Sequence, residues 1–211
     1  MKKTFYAYKL RWNNRALIVS AVSGVFFFVL SLFVSELATD FATSQATINV
    51  PDLIISNIPV FNVNFIVNEV AMFYAMFLLL VGILNPKYVP FALKSAALFI
   101  LVRSAFITFT HMGPFPEHSY LNQNAFFNPL NIGSDFFFSG HTGLPYLMAL
   151  VFWNKKIIRI ISLIAAIVFG ISVLLGHLHY SIDVFAAFFI TYSIFALAQK
   201  FFAKDYAALG E

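Results

Sequence analysis

Gly176-His177-Leu178-His179-Tyr180-Ser181-Ile182-Asp183 separates two apolar runs, each long enough to cross a bilayer. Ionisable side chains at such a junction are costly unless partnered, so the two histidines and the aspartate mark a candidate functional site. His179 and Asp183 are four residues apart, and they share one face if the helix beginning near Ser181 reaches back to His179. A carboxylate beside an imidazole selects its tautomer and makes the other ring nitrogen a better base or nucleophile. The plain alternative is a pair of interfacial polar residues at a helix end.

Outward from that junction, the 211-residue chain is 61% hydrophobic and 10% charged, with a mean hydropathy of +0.84, far more apolar than a soluble domain. Its apolar runs predict an all-α, six-transmembrane helical bundle: Ala16–Val34, Phe65–Leu84, Pro90–Phe109, Phe136–Trp153, Ile157–Leu175 and Ser181–Phe202. The expected organisation is a basic N-terminal segment (residues 1–15), a membrane domain (16–202) and a short tail (203–211). The loop between the first two spans, Ser35–Asn64, carries a moderately apolar middle, Val50–Pro59, that suits the interface. The first run is too long for a signal-peptide core and lacks a small-x-small exit, so it is expected to remain as a span. The absence of cysteine excludes disulfides, thiolate metal sites and cysteine nucleophiles. No basic tract suggests nucleic acid, and no repeat symmetry suggests a transporter.

Charge orients the bundle. Every Lys and Arg except Arg103 falls in or beside the N-terminal segment, the 2–3 turn, the 4–5 turn or the tail. Six spans put those regions on one side, which the positive-inside rule makes cytoplasmic, with both termini. Seven of the nine acids lie on the other side or at the outer end of a span. The outer ends of spans three, four and six then carry Arg103, His141, His179 and Asp183, which suggests one pocket. Arg103 facing lipid would cost about 2.5–3.5 kcal/mol, so it is expected to face the bundle interior; snorkelling to the interface is the alternative.

Span four runs inward, so its N-terminus at Ser139-Gly140-His141-Thr142-Gly143 points into that pocket. A helix N-terminus with two glycines offers backbone N–H groups and a positive dipole end to a phosphate. Pro145 fits the first turn of such a helix, where its missing N–H costs little. Arg103 supplies a bidentate cation for the same anion, with Ser139, Gly140 and Thr142 as further phosphate-binding candidates. His179, oriented by Asp183, suits in-line attack on phosphorus, and His141 suits proton transfer to or from an alcohol.

Asp135-Phe-Phe-Phe-Ser-Gly-His141-Thr and His179-Tyr-Ser-Ile-Asp183-Val-Phe-Ala-Ala resemble the two signature motifs of sphingomyelin synthases, a branch of the type 2 phosphatidic acid phosphatase superfamily. Val50-Pro51-Asp52 is similar to that family's short Pro-Asp motif, and Arg103 through Pro116 to its motif of Arg, Thr and Pro-x-Pro. The resemblance implies six spans, an exoplasmic site and transfer through a phosphohistidine. It makes His179 the nucleophile, Asp183 its orienting acid and His141 the general acid/base, while Arg103 and Asp135 match motif positions of less defined role. Two departures bear on the substrate. The wider superfamily has a Ser-Arg pair ahead of the second-motif histidine, where this chain reads Ser172-Val173. Its Lys-x6-Arg-Pro motif is also missing: Lys94 lies nine residues before Arg103, and no Pro follows. A phosphomonoester carries nearly two negative charges and favours several cations, whereas a diester carries one.

The expectation is therefore a membrane enzyme that takes a head group from a phosphodiester lipid, and passes it to ceramide, diacylglycerol or water. A lipid phosphate phosphatase, acting on phosphatidic acid or an isoprenoid pyrophosphate, is the alternative. A transporter or a catalytically dead scaffold is a weaker one. Glu69, at the outer end of span two, is a candidate support for a histidine or Arg103, with an interfacial acid as its plain reading. His177 and His179 form a His-x-His without further ligands at useful spacing, so neither metal nor cofactor is expected. His111 and His118 read as loop residues. The simple, low-charge chain suggests a bacterial inner or plasma membrane, with the site on the periplasmic or extracellular side.

Overall fold

The computed structural model describes residues 14–46, 49–110, 112–119 and 137–210. Helix α1 spans Arg15–Gln45 and opens on Asn14, whose side-chain oxygen accepts the Ala16 N–H at 3.0 Å. It runs on past Val34, where its apolar stretch ends and a loop was expected. Nothing between Gly24 and Pro51 breaks a helix, and Ala38 and Ala42 are buried with Ile107, so packing carries the helix through the polar residues.

A π-helical turn, Phe65–Val70, leads into α2, Ala71–Leu84. A 3₁₀ turn at Pro86–Tyr88 leads into α3, Val89–Phe109. Then come α4 (Gly140–Val151), α5 (Lys156–Leu175), α6 (Ser181–Phe201) and a short α7 (Ala203–Ala207). Five helical segments among the described residues are long and apolar enough to cross a membrane: Arg15–Gln45, Phe65–Leu84, Pro86–Phe109, Lys156–Leu175 and Ser181–Phe201.

Helix α4 is the exception. Its 12 residues rise roughly 18 Å, short of the ~30 Å hydrocarbon core. The expected span from Phe136 is cut back because Phe138 has φ of 21°, outside the helical region, and Ser139 caps the helix that follows. Pro145 consequently lies inside the helix, not in its first turn, and has no N–H to give the His141 carbonyl. Burial compensates for shortness: Thr142, Gly143, Pro145 and Leu147–Val151 are buried between α5 and α6. By contrast α1, packed along α3, leaves Val22, Phe26, Val29 and Phe33 exposed, as lipid-facing residues are.

Close packing at α4 makes a sharp demand at Gly143. A Cβ there would come within 2.6 Å of the fully buried Phe99 ring and 2.8 Å of Thr191 Oγ1. Gly143→Ala is expected to cost about 1–3 kcal/mol, read as a lower unfolding midpoint in detergent; an unchanged midpoint would contradict this packing.

The two ends of the bundle differ in chemistry. At one end, Lys94 bridges Ser20 (2.7 Å) and Asp205 (2.6 Å), Lys87 Nζ donates to the Leu209 carbonyl (3.1 Å), and Tyr88 stacks on Phe152 at 4.7 Å. This gathers the start of α1, the α2–α3 turn, the residue after α4 and the C-terminal segment. At the other end, the α1–α2 loop and residues 112–119 close over the α5–α6 junction.

Candidate active site

Helix α5 stops at that junction through a Schellman turn: Leu178 N–H donates to Val173 O (2.8 Å) and His177 N–H to Leu174 O (3.0 Å). His177 occupies the left-handed position, with φ of 53°. Glycine usually takes this place, but Gly176 sits one residue earlier, where a Cβ would lie 2.4 Å from Val63. The His177 ring packs edge-on against Phe115, and its Nδ1 bonds the Glu117 carbonyl at 2.8 Å. His177 thus anchors the 112–119 loop, a role its sequence position did not suggest.

Helix α6 begins at Ser181 and does not reach back to His179. The His179–Asp183 pair forms nonetheless, because Tyr180, with φ −70° and ψ 156°, turns the chain at the helix entrance. Asp183 is the third residue of α6, and its Oδ2 accepts both the Tyr180 N–H (3.1 Å) and His179 Nδ1 (3.2 Å). Both side chains are buried, at 5% and 1% exposure, so the pair is shielded from water. With Nδ1 on the carboxylate, the ring is fixed in orientation and its other nitrogen, Nε2, points away from Asp183.

One peptide group joins this pair to two other helices. The Phe138–Ser139 peptide donates its N–H to the Asp183 carbonyl (2.9 Å) and accepts Arg103 Nε at its carbonyl (3.2 Å). Ser139 Oγ then takes the Thr142 N–H at 3.4 Å, capping α4. The first N–H groups of α4, at Gly140 and His141, have no acceptor within the helix. Arg103 lies along them: a Cβ on Gly140 would sit 3.7 Å from its Nε. A guanidinium, a helix N-terminus and a His–Asp pair thus meet at one end of the bundle, an arrangement suited to a single anionic group.

His141 is half-buried in the first turn of α4, its ring 6.5 Å from that of Phe169. The Thr142 side chain is fully buried beside Gly170, so what α4 can offer a ligand there is backbone, not this hydroxyl. Glu69 is exposed on the π-helical turn. His118 bonds the Phe115 carbonyl at 2.8 Å within its own loop. Asp135 and His111 lie outside the described residues.

Asp52 is the residue that sequence reasoning quoted without a role. Its carboxylate accepts the N–H of Ser181 at 2.7 Å and the Ser181 hydroxyl at 2.6 Å, across 129 residues of chain. The Pro-Asp pattern was the available signal, but a cap supplied from so far away has no local signature.

Among the described residues, cations are few here. Val173, where the superfamily's second motif has an arginine, is fully buried with Val63, Val67, Leu178 and Val184. Lys94 is held at the opposite end by Asp205. Among the described residues, Arg103 is the cation set against the α4 N-terminus.

Compared with known proteins, the chain matches none of the curated proteins and none of the solved structures. Residues 133–200 match the family model described as PAP2 superfamily C-terminal. That segment holds α4 to α6 almost entire, with Ser139–His141 and His179–Asp183 inside it.

Proposed function

We propose that this protein is an integral-membrane phosphotransferase or phospholipase C-like hydrolase that acts on a phosphodiester lipid, in the manner of the sphingomyelin synthase branch. The observation that carries the reading is the Arg103 guanidinium, the cation set against the α4 N-terminus among the described residues, joined through one peptide to the His179–Asp183 pair. One cation and a helix dipole match the single charge of a diester better than the double charge of a monoester.

The chemistry follows from those positions. His179 Nε2 attacks phosphorus in line, the bond to the diacylglycerol oxygen breaks, and His141 gives that oxygen its proton. The head group is left as a phosphoramidate on His179, with Arg103 and the Gly140 and His141 N–H groups facing the phosphoryl oxygens. His141 then takes the proton of an incoming alcohol, ceramide or diacylglycerol, or of water. The new oxygen bonds to phosphorus as the P–N bond breaks, restoring His179. Asp183, bonded to His179 Nδ1, stabilises the imidazolium.

The six-span topology, with the site on the periplasmic or extracellular side of a bacterial membrane, is part of the same proposal. It is supported by the sorting of charge: Lys87, Lys94 and Lys155 gather with the first turns of α1 and the segment after α6 at one end, and the His–Asp pair lies at the other.

A lipid panel tests the reading. Wild type and His179→Ala, in nanodiscs, are offered phosphatidic acid, phosphatidylethanolamine, phosphatidylcholine and phosphatidylglycerol, with and without ceramide. Diacylglycerol from a diester, lost in the variant, is the expected result, and a new ceramide product makes the protein a synthase. Phosphate released from phosphatidic acid, with no diester turnover, overturns the diester assignment and moves the protein to the phosphatase branch.

A further inference from the structure

The first N–H groups of α6 need an acceptor, and Tyr180, which precedes the helix, does not supply one from its side chain. Its phenol is engaged elsewhere, donating to the Gly113 carbonyl at 2.8 Å and accepting the Val50 N–H at 3.2 Å. Asp52 fills the gap from the α1–α2 loop. Its Oδ1 is held by the N–H groups of Ile54 (2.9 Å) and Ile55 (3.1 Å), which pins the carboxylate to its own turn. Its Oδ2 takes the Ser181 N–H, and the Ser181 hydroxyl adds another bond. Asp52 is 8% exposed, and its negative charge lies at the positive end of the α6 dipole.

This contact bears on the His179–Asp183 pair because that pair is held on one side. Asp183 Oδ2 carries both bonds, to His179 and to the Tyr180 N–H, while Oδ1 is buried with no hydrogen-bond partner among the described residues. The carboxylate's direction therefore depends on the backbone at Tyr180–Ser181. Asp52 grips that backbone at Ser181, and Tyr180 ties it to Gly113 and Val50.

We propose that Asp52 is a positioning residue for the reaction: by clasping the first turn of α6 it sets the geometry of His179 against Asp183. The proposal rests on His179 being the nucleophile, but not on which lipid is the substrate. Burial alone would push the Asp52 carboxyl up, but the bonds from Ser181, Ile55 and Ile54 outweigh it and hold it below the usual range. With a lowered folded value, the stabilisation is fully present above about pH 4 and is lost as pH falls through the folded value below that. The clasp is therefore closed at neutral pH.

The test uses the full chain in nanodiscs, with whichever lipid the panel shows to be turned over. Wild type, Asp52→Asn, Ser181→Ala, the double variant and His179→Ala are compared for kcat, KM, thermal unfolding and acid-labile phosphoenzyme trapped in a single turnover. Asp52→Asn is expected to lose about 10²-fold in kcat, with KM within about twofold and slower phosphoenzyme formation. Ser181→Ala should lose less in the same direction, and the double variant should be no worse than Asp52→Asn, because both act on one contact. Losses that multiply, a change in KM alone, or wild-type kcat in a folded Asp52→Asn would each overturn the clasp. Turnover that survives in His179→Ala overturns the nucleophile assignment itself, and is read without any Asp52 variant. Should Asp52→Asn fail to fold, Ser181→Ala decides alone: a kcat loss supports the clasp, and wild-type kcat overturns it.

Discussion

His179→Ala is expected to eliminate lipid turnover, lowering kcat by at least about 10⁴-fold while leaving the protein folded. The size follows from the role: without the imidazole there is no group to take the phosphoryl unit, so the two-step path closes and leaves only what Arg103 and the α4 N-terminus stabilise. Folding is expected to survive because His179 lies outside α6, and the Tyr180 N–H keeps its bond to Asp183 at 3.1 Å. Acid-labile phosphoenzyme, trapped from wild type with a head-group-labelled lipid, should disappear in the variant. Turnover above about one part in a hundred of wild type would falsify the nucleophile assignment, since general acid–base help alone reaches about 10²–10⁴-fold.

Asp183→Asn is expected to cost about 10³–10⁴-fold in kcat, together with some stability. Among the described residues, the carboxylate uses one oxygen for both its partners, and the other is buried without one. An asparagine that keeps its carbonyl oxygen toward His179 and Tyr180 buries an unsatisfied NH₂, at about 1–3 kcal/mol, and loses the charge that stabilises the imidazolium. Flipping relieves the NH₂ but turns it toward the Tyr180 N–H and forces the proton of His179 onto Nε2, the nitrogen needed for attack. Both orientations lower kcat. A kcat-against-KM comparison, with thermal unfolding alongside, checks this: near wild-type kcat with reduced stability would leave Asp183 a helix cap and nothing more.

The pairing shows how far a motif reads without a structure. A His-x-x-x-Asp spacing suggested two residues on one helical face, yet His179 lies ahead of α6, and the contact is made through the cap at Tyr180. The spacing was informative and the geometry behind it was different. The Ser139–Gly143 stretch was readable as a helix N-terminus from its two glycines, although the span was expected to begin at Phe136 and the cap proves to be Ser139. Thr142 was not separable from its neighbours by sequence, since which side of a first turn faces the core depends on where α5 and α6 pack.

Hydropathy and length alone predicted six spans, and five of them answer to membrane-length helices among the described residues, because burying twenty apolar residues in a bilayer is a property of the segment itself. The histidines, the acid and the arginine were likewise conspicuous by composition, each costly in an apolar chain unless it has work to do. Three features were decided only by tertiary structure. Helix α1 continues to Gln45 because Ala38 and Ala42 find Ile107 on α3. Helix α4 stays short because Phe138 leaves the helical region where its carbonyl meets Arg103 and the next N–H meets Asp183. Asp52 caps a helix 129 residues away because Tyr180, spent on the Gly113 carbonyl and the Val50 N–H, leaves that end of α6 to another segment. Each depends on a contact between segments distant in the chain, and no local pattern of residues encodes which partner will arrive.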